Sequence, residues 1–258
     1  MERARGAAGH ARRQAPAAPV GELALVAADP PDKLGEQIAW QIEEEVLAQG
    51  LEPGTLIGSE PELLARYGVS RAVLREAVRL LEHHDVARTR RGANGGLIVS
   101  RPRPDSVTRA MTTYLRFNSV RPKDILETRN ALELTGVQLA AARIDDAGIS
   151  RIRAFLAAQS EVADRAQVRY CHDFHVLVAE LSANPALALF VTCLTELANR
   201  LTTVRPPGPG EGAALAHRSH QRIAEAIVAG DGALARRRMA DHLSALAEFW
   251  VPGGDATE

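Results

Sequence analysis

The stretch from Ser59 to His84 limits the fold more than any other. Ser59-Glu60-Pro61-Glu62 has the form of a capping box, in which the entrance serine and a carboxylate three residues on satisfy each other's amides. The helix it opens is short, because Gly68 breaks it after Tyr67, and Ser70 then caps a further helix running to about His84. A short helix, a tight glycine turn and a longer helix make a helix-turn-helix pattern. The longer helix is two-faced. Leu74, Ala77, Val78 and Leu81 fall at the spacing of one buried stripe. Arg71, Arg75 and Arg79 form a second stripe, its first two members in the N-terminal half, the part of a recognition helix that enters the major groove. A guanidinium placed there can donate two hydrogen bonds to guanine O6 and N7, or grip a phosphate. By itself such a row also suits any solvated helix face.

The flanks decide between those readings. Pro31 to Gln49 carries Leu34, Ile38, Ile42 and Val46 on one stripe and reads as an amphipathic helix ending at Gly50. Behind the arginine helix, Ala87–Arg90 and Leu97–Val99 read as two short strands around Arg91-Gly92-Ala93-Asn94-Gly95-Gly96, where Asn94-Gly95 suits the positive backbone dihedrals of a hairpin turn. That hairpin is a wing, with a glycine tip through which backbone approaches a duplex and with Arg90 and Arg91 beside it. Net charge is only −1, yet nine arginines lie between Arg66 and Arg103 against Glu76, Glu82 and Asp85. Clustering of one sign on one segment is what a phosphate-binding face requires.

The segment from Leu34 to Val99, with GSEPELLARYGVSRAVLREAVRLLEHHDVARTRRGANGGLIV, resembles the GntR family of bacterial regulators in its FadR-type branch, most specifically through Ser70, Arg71, Arg75, Glu76 and Ala77. The resemblance implies that Ser70, Arg71 and Arg75, together with Arg91 and Gly92 of the wing, meet double-stranded operator DNA. One position departs from the family's pattern: Pro61 stands where an arginine is common, which removes one DNA contact without harm to the helix, since proline is tolerated in a first turn.

Past Pro102–Pro104, a short stiff connection, the periodicity is helical throughout, over roughly 105–117, 122–142, 147–163, 166–182, 185–203, 214–229 and 232–249. Asn184-Pro185 separates two of these helices, Gly230 ends another, and Asp231 caps the last. Helices of this number and length form an antiparallel bundle around a cavity. The fold class is therefore mainly α: an N-terminal winged helix-turn-helix with a small β-wing, followed by an all-α antiparallel bundle. The chain divides into a disordered basic arm (1–30), a DNA-binding domain (31–101), a linker (102–104), an all-helical domain (105–250) and a disordered tail (251–258).

The chemistry of the second half sits in histidines. His175 shares a face with Cys171 and Val178, His220 a stripe with Ile223 and Ile227, and His242 follows Met239 by a turn. Imidazoles from separate helices, each beside core positions, can close on a late first-row divalent ion such as zinc or nickel, whereas the plainer reading has each hydrogen-bonded on its own. Residues 105–247 resemble the FCD domain that follows FadR-type DNA-binding modules, through Glu127-x-Arg129 with Leu132-Glu133, DFHVLVAELSANPALAL and HRSHQRIAEAIVAGDGALARRRMADHL. The resemblance implies a divalent metal held by His175, His220 and His242, with Cys171 where the family carries a ligating aspartate; Asp173 lies off that face, and His172 and His217 are bystanders. It also implies a small organic acid as effector, a homodimer and a near-palindromic operator, with repression the usual outcome. Arg129 is either a clamp for the effector's carboxylate or an ion-pair partner of Glu127 or Glu133. The loop from Arg205 to Gly212 is a connector or a gate to the pocket.

Two other readings keep part of this scheme. The same DNA-binding protein can have a metal-free apolar pocket that takes a fatty acyl ligand. A metal-dependent hydrolase would need Asp173 or Glu180 as its acid–base residue, at no convincing helical phase, and no Gly-x-Ser-x-Gly motif is present, so the chain reads as no enzyme. No apolar run approaches membrane-span length, the basic N-terminus lacks a signal-peptide core, and the two cysteines, Cys171 and Cys193, form no disulfide framework; a cytoplasmic protein without membrane partners is expected.

Overall fold

The computed structural model describes the backbone of residues 33–92, 95–160, 164–204, 211–247 and 250–252, with side chains over those spans except at 160–171, 201–214 and 250–252. The expected N-terminal arm, Asn94 at the wing tip, most of the 205–212 loop and residues 253–258 of the expected tail lie outside the described residues.

Helix α1 (Leu34–Ala48) buries Ile38, Ala39, Ile42 and Val46. Leu34, expected on that stripe, is half exposed. The reason is that the entrance of α1 meets its neighbour through Gly35, where a Cβ would stand 2.9 Å from the Glu76 side chain. Strand β1 (Leu56–Gly58) leads into α2 (Glu60–Tyr67). Both the backbone N–H and the hydroxyl of Ser59 donate to the Glu62 carboxylate at 2.8 Å. These bonds, backbone first, hold the Glu62 carboxyl below its ordinary pKa. Gly68 then adopts a left-handed conformation (φ 63°) that reverses the chain. Ser70 accepts from the amide of Val73 at 3.4 Å and opens α3 (Arg71–His83), which buries Leu74, Ala77 and Leu81.

Strands β2 (Ala87–Arg90) and β3 (Gly96–Val99) form the wing hairpin, paired in register from Ala87↔Val99 to Arg90↔Gly96. The sheet has three strands, in the order β1-β3-β2. Strand β1 was not anticipated: it is only three residues long and gains its partner from a segment 40 residues on, Leu56 facing Ile98. The turn also differs from expectation. The amide of Gly95 donates to the carbonyl of Gly92 at 2.8 Å, and among the described residues of the turn the positive dihedrals fall on Gly92 and Gly96 rather than on Gly95. One hydrophobic cluster unites these elements, built from Ile38, Ile42, Leu63, Leu74, Leu81, Val86, Leu97 and Val99 among others.

Pro104 begins α4 (Pro104–Phe117), followed by α5 (Pro122–Arg143), α6 (Asp146–Ser160), α7 (Asp164–Leu181), α8 (Pro185–Leu201), α9 (Glu211–Val228) and α10 (Gly232–Ala247). Capping follows the sequence signals. The Asn184 side chain accepts from the amide of Leu187, and the Asp231 side chain accepts from the amide of Leu234. Helix α5 is the axis of this half and packs against α7, α8, α9 and α10. The main cluster joins Val137 and Ala140 of α5 with Ile152, Phe174, Val178, Ile223, Ile227 and Met239. Helix α4 lies on α8.

One expectation needs correcting. Val251 and Pro252, assigned to a disordered tail, belong to β5 (Trp250–Pro252), which pairs with β4 (Thr202–Val204). Short runs of β-branched and aromatic residues, Thr-Thr-Val and Trp-Val, favour extended pairing, and the partners are too distant in sequence for either run to announce it. Among the described residues no helix is long and apolar enough to cross a membrane.

Candidate DNA interface and buried histidine cluster

On α3 the two stripes separate as their spacing demands. Leu74 and Leu81 are buried, while Arg71, Arg75 and Arg79 are exposed. Arg71 lies 3.9 Å from Glu60 of α2, an exposed pair across the helix-turn-helix. Ser70, Arg91 and Gly92 are likewise exposed. The candidate DNA-contacting side chains thus stand on the surface of α3 and at the wing, carried by a sheet whose inner residues, Leu97 to Val99, are buried.

The histidines behave differently. His175 of α7, His220 of α9 and His242 of α10 are each at most 4% exposed. Their candidate ligand atoms lie within 4.8 Å of one another. Nε2 of His242 is 3.3 Å from Nε2 of His175 and 3.2 Å from Nε2 of His220. Phe174 stacks on His220 with centroids 3.9 Å apart and planes 12° from parallel, which fixes one ring face.

The outer edges of two rings are also held. Nδ1 of His175 bonds the Glu133 carboxylate. Glu133 in turn pairs with Arg129, one turn earlier on α5, at 2.5 Å, with both side chains 2% exposed. Nδ1 of His220 lies 3.1 Å from the Gln159 side-chain amide, and Nδ1 of His217 is 3.4 Å from the same oxygen. Burial works to raise the pKa of Glu133, but the charges of Arg129 and His175 overcome it and hold the carboxyl at about 2. Burial first, and then the charge of His175, pushes His242 down to about 3. Burial likewise lowers His220 well below its ordinary value. Both are therefore neutral at pH 7, the form in which imidazole offers a lone pair.

This donor set fits a divalent metal. Zinc–imidazole bonds of about 2.0–2.1 Å at tetrahedral angles separate neighbouring nitrogens by roughly 3.3 Å, close to the 3.2 and 3.3 Å found. The Cys171 side chain lies outside the described residues. Asp173 is exposed, in keeping with its off-face phase. His172 is half-buried, with its pKa lowered to about 3 by burial and then by Arg129. Of the two roles set out for Arg129, the ion pair with Glu133 is the arrangement found, while Glu127 is exposed. Glu180 faces outward and pairs with Arg151, away from the histidines.

Sequence reasoning named Glu133 only as a partner for Arg129 and passed over Gln159. A signal existed for both. Glu133 precedes buried Val137 and Ala140 at helical spacing, and Gln159 continues the buried phase of Ile152 two turns on.

Family models match both halves: the description "Bacterial regulatory proteins, gntR family" covers residues 34–94, and the FCD domain covers residues 124–245. The chain belongs to the GntR family of regulators and carries an FCD effector domain. The HTH-type transcriptional repressor NanR of Escherichia coli strain K12 is 27% identical over 231 residues, 87% of each chain. A putative L-lactate dehydrogenase operon regulatory protein of the same strain is 29% identical, over 83% of this chain and 85% of its own. The solved structure of Streptococcus agalactiae GntR shares the fold, with a TM-score of 0.60 at 21% identity over 83% of this chain and 99% of that one. These relatives are regulators rather than enzymes, and this GntR-family chain is a transcriptional regulator.

Proposed function

We propose that this regulator binds a near-palindromic operator as a homodimer, acts as a repressor, and is modulated by an organic acid at a divalent metal. Residues 31–101 form the DNA-binding unit and 105–250 the effector unit, joined at 102–104. The observation that carries the effector half is the convergence of three buried imidazoles from α7, α9 and α10. His175, His220 and His242 would hold the ion, and Cys171 stands in the sequence where the family carries a ligating aspartate. A bound zinc or nickel-like ion would supply a Lewis-acidic position for a carboxylate oxygen. Arg129 contributes a fixed positive charge behind Glu133, and its field already reaches His242.

On the DNA side, Arg71 and Arg75 read base edges or phosphates, while Ser70, Arg91 and Gly92 fix the register of α3 and the wing. Two such units reach half-sites about 34 Å apart. This reading includes a route between the sites. Helix α7 carries His175 and ends at the corner of Ala183 and Asn184, which lines one groove together with Pro102, Arg103 and Pro104 of the linker. The Cys193 thiol of α8 points to the Pro104 carbonyl at 3.8 Å. An effector shifts DNA affinity through this route only by as much as its own affinity differs between the two arrangements.

The test is fluorescence anisotropy with duplex from the regulator's own upstream region, over a salt series, with and without zinc and L-lactate. L-lactate is a fitting first carboxylate because one relative is named for an L-lactate dehydrogenase operon. The expected result is sequence-specific, salt-steep binding whose affinity changes only when zinc and a carboxylate are both present. Binding that ignores zinc and carboxylates alike rejects the metal-linked effector.

A further inference from the structure

The three imidazoles of the cluster are not equivalent. His242 meets each of the other two Nε2 to Nε2, but only those two are held at the opposite nitrogen. An ionised carboxylate can only accept a hydrogen bond, so the Glu133–His175 contact places a ring proton of His175 on Nδ1 and turns its Nε2 toward His242. Arg129, 2.5 Å from Glu133, keeps that carboxylate ionised in a site where burial alone would protonate it. Gln159 presents its amide 3.1 Å from Nδ1 of His220. With the oxygen facing the ring, this contact also puts the proton on Nδ1. His217 Nδ1 lies 3.4 Å from the same oxygen. Among the described residues, His242 bonds only through Nε2, to both partners.

From this asymmetry we propose that Glu133 and Gln159 are positioning residues that lock His175 and His220 in the Nδ1–H tautomer, and that His242 is the exchanging member of the trio. In the metal-free protein, His242 donates its Nε2–H to the two lone pairs that face it. A bare lone pair on His242 would face two others at 3.2 and 3.3 Å and be repelled by both, so one proton must stand among them. When a cation arrives, only His242 has to change, moving its proton to Nδ1. The other two ligands are set before binding, which lowers the cost of assembling the site.

The inference rests on the metal reading above, and the experiment separates the two. Histidine-selective ¹⁵N labelling of the full chain, stripped with chelator, reads each tautomer directly. We expect Nδ1–H at His175 and His220 and Nε2–H at His242, with His242 alone switching when zinc is added. Gln159→Met should release His220 into a tautomer mixture and leave His175 unchanged. Glu133→Gln should do the reverse. Each should weaken zinc binding about 10- to 100-fold in a competition titration. Gln159→Met carries no ion pair with it, so it decides the matter if Glu133→Gln fails to fold. An Nε2–H tautomer at His175 or His220 in the parent overturns the proposal. So does zinc binding of unchanged strength in Gln159→Met. A parent that shows the stated tautomers yet takes up no zinc leaves the locking intact and removes the metal reading.

Discussion

The two halves of this regulator place their candidate functional side chains in opposite environments. On α3 and the wing, Arg71, Arg75 and Arg91 stand in solvent, and what positions them is the buried face of the same elements. In the bundle, His175, His220 and His242 are themselves buried and are positioned by residues on other helices. A surface that must meet a polyanion gains from exposed, always-charged guanidiniums, which need no outer partner to stay ionised. A site for one small ion needs neutral nitrogen donors, dry surroundings and fixed tautomers, and these come only from packing several helices together. Exposed recognition should therefore tolerate changes in its scaffold less than changes elsewhere in the chain, whereas the buried cluster should respond to its outer partners as well as to its ligands.

The strongest challenge to that contrast is the double charge reversal Arg71→Glu/Arg75→Glu. Each guanidinium removed forfeits a specific contact, and each carboxylate added repels the duplex, so operator affinity should fall by about 1,000-fold or more. Zinc uptake and the far-UV spectrum of the bundle should stay as they were. Retained operator binding in an anisotropy titration would remove α3 from the interface.

Leu81→Ala should come next. Leu81 is fully buried between α1, α3 and the sheet, and its truncation should cost about 2–5 kcal/mol of the N-terminal unit's stability. Denaturant unfolding followed in parallel with zinc content should show that loss without a loss of metal. His220→Ala probes the other half. It removes one of three candidate ligands and the ring stacked on Phe174, so zinc affinity should drop by more than about 100-fold, beyond the range for losing an outer partner alone. Specific DNA binding without effector should survive. The smallest expected effect is at Gly96, where a Cβ would stand 2.6 Å from the Gly58 carbonyl oxygen. Gly96→Ala should push the wing off β1, cost about 1–3 kcal/mol, and weaken operator binding modestly in the same titration, with the bundle unaffected.

The same contrast explains how much could be read from the sequence. The helix-turn-helix depends on neighbours three or four residues apart. Ser59 with Glu62, Gly68, Ser70 and the two stripes of α3 can all be recognised from local chemistry. The wing hairpin was legible for the same reason, but β1 was not, because its partner Ile98 comes from far along the chain. The positive dihedral at Gly96 was missed likewise, since the close approach of the Gly58 carbonyl, a tertiary contact, admits only glycine there.

In the bundle the sequence identified the helices and, by their phase beside core residues, three histidines that turn inward. It could not show that they meet. His175 and His242 are 67 positions apart, Glu133 and His175 are 42 apart, and Gln159 and His220 are 61 apart. The periodicity of one helix says which face is buried, not which residue of another helix it faces. That pairing is set by how α5, α7, α9 and α10 cross, a property of the assembled core. The sequence alone thus determined an exposed arginine row on α3 and an inward set of imidazoles. Only the tertiary structure decided that the imidazoles converge, that Arg129 pairs with Glu133, and which nitrogen of His175 meets that carboxylate.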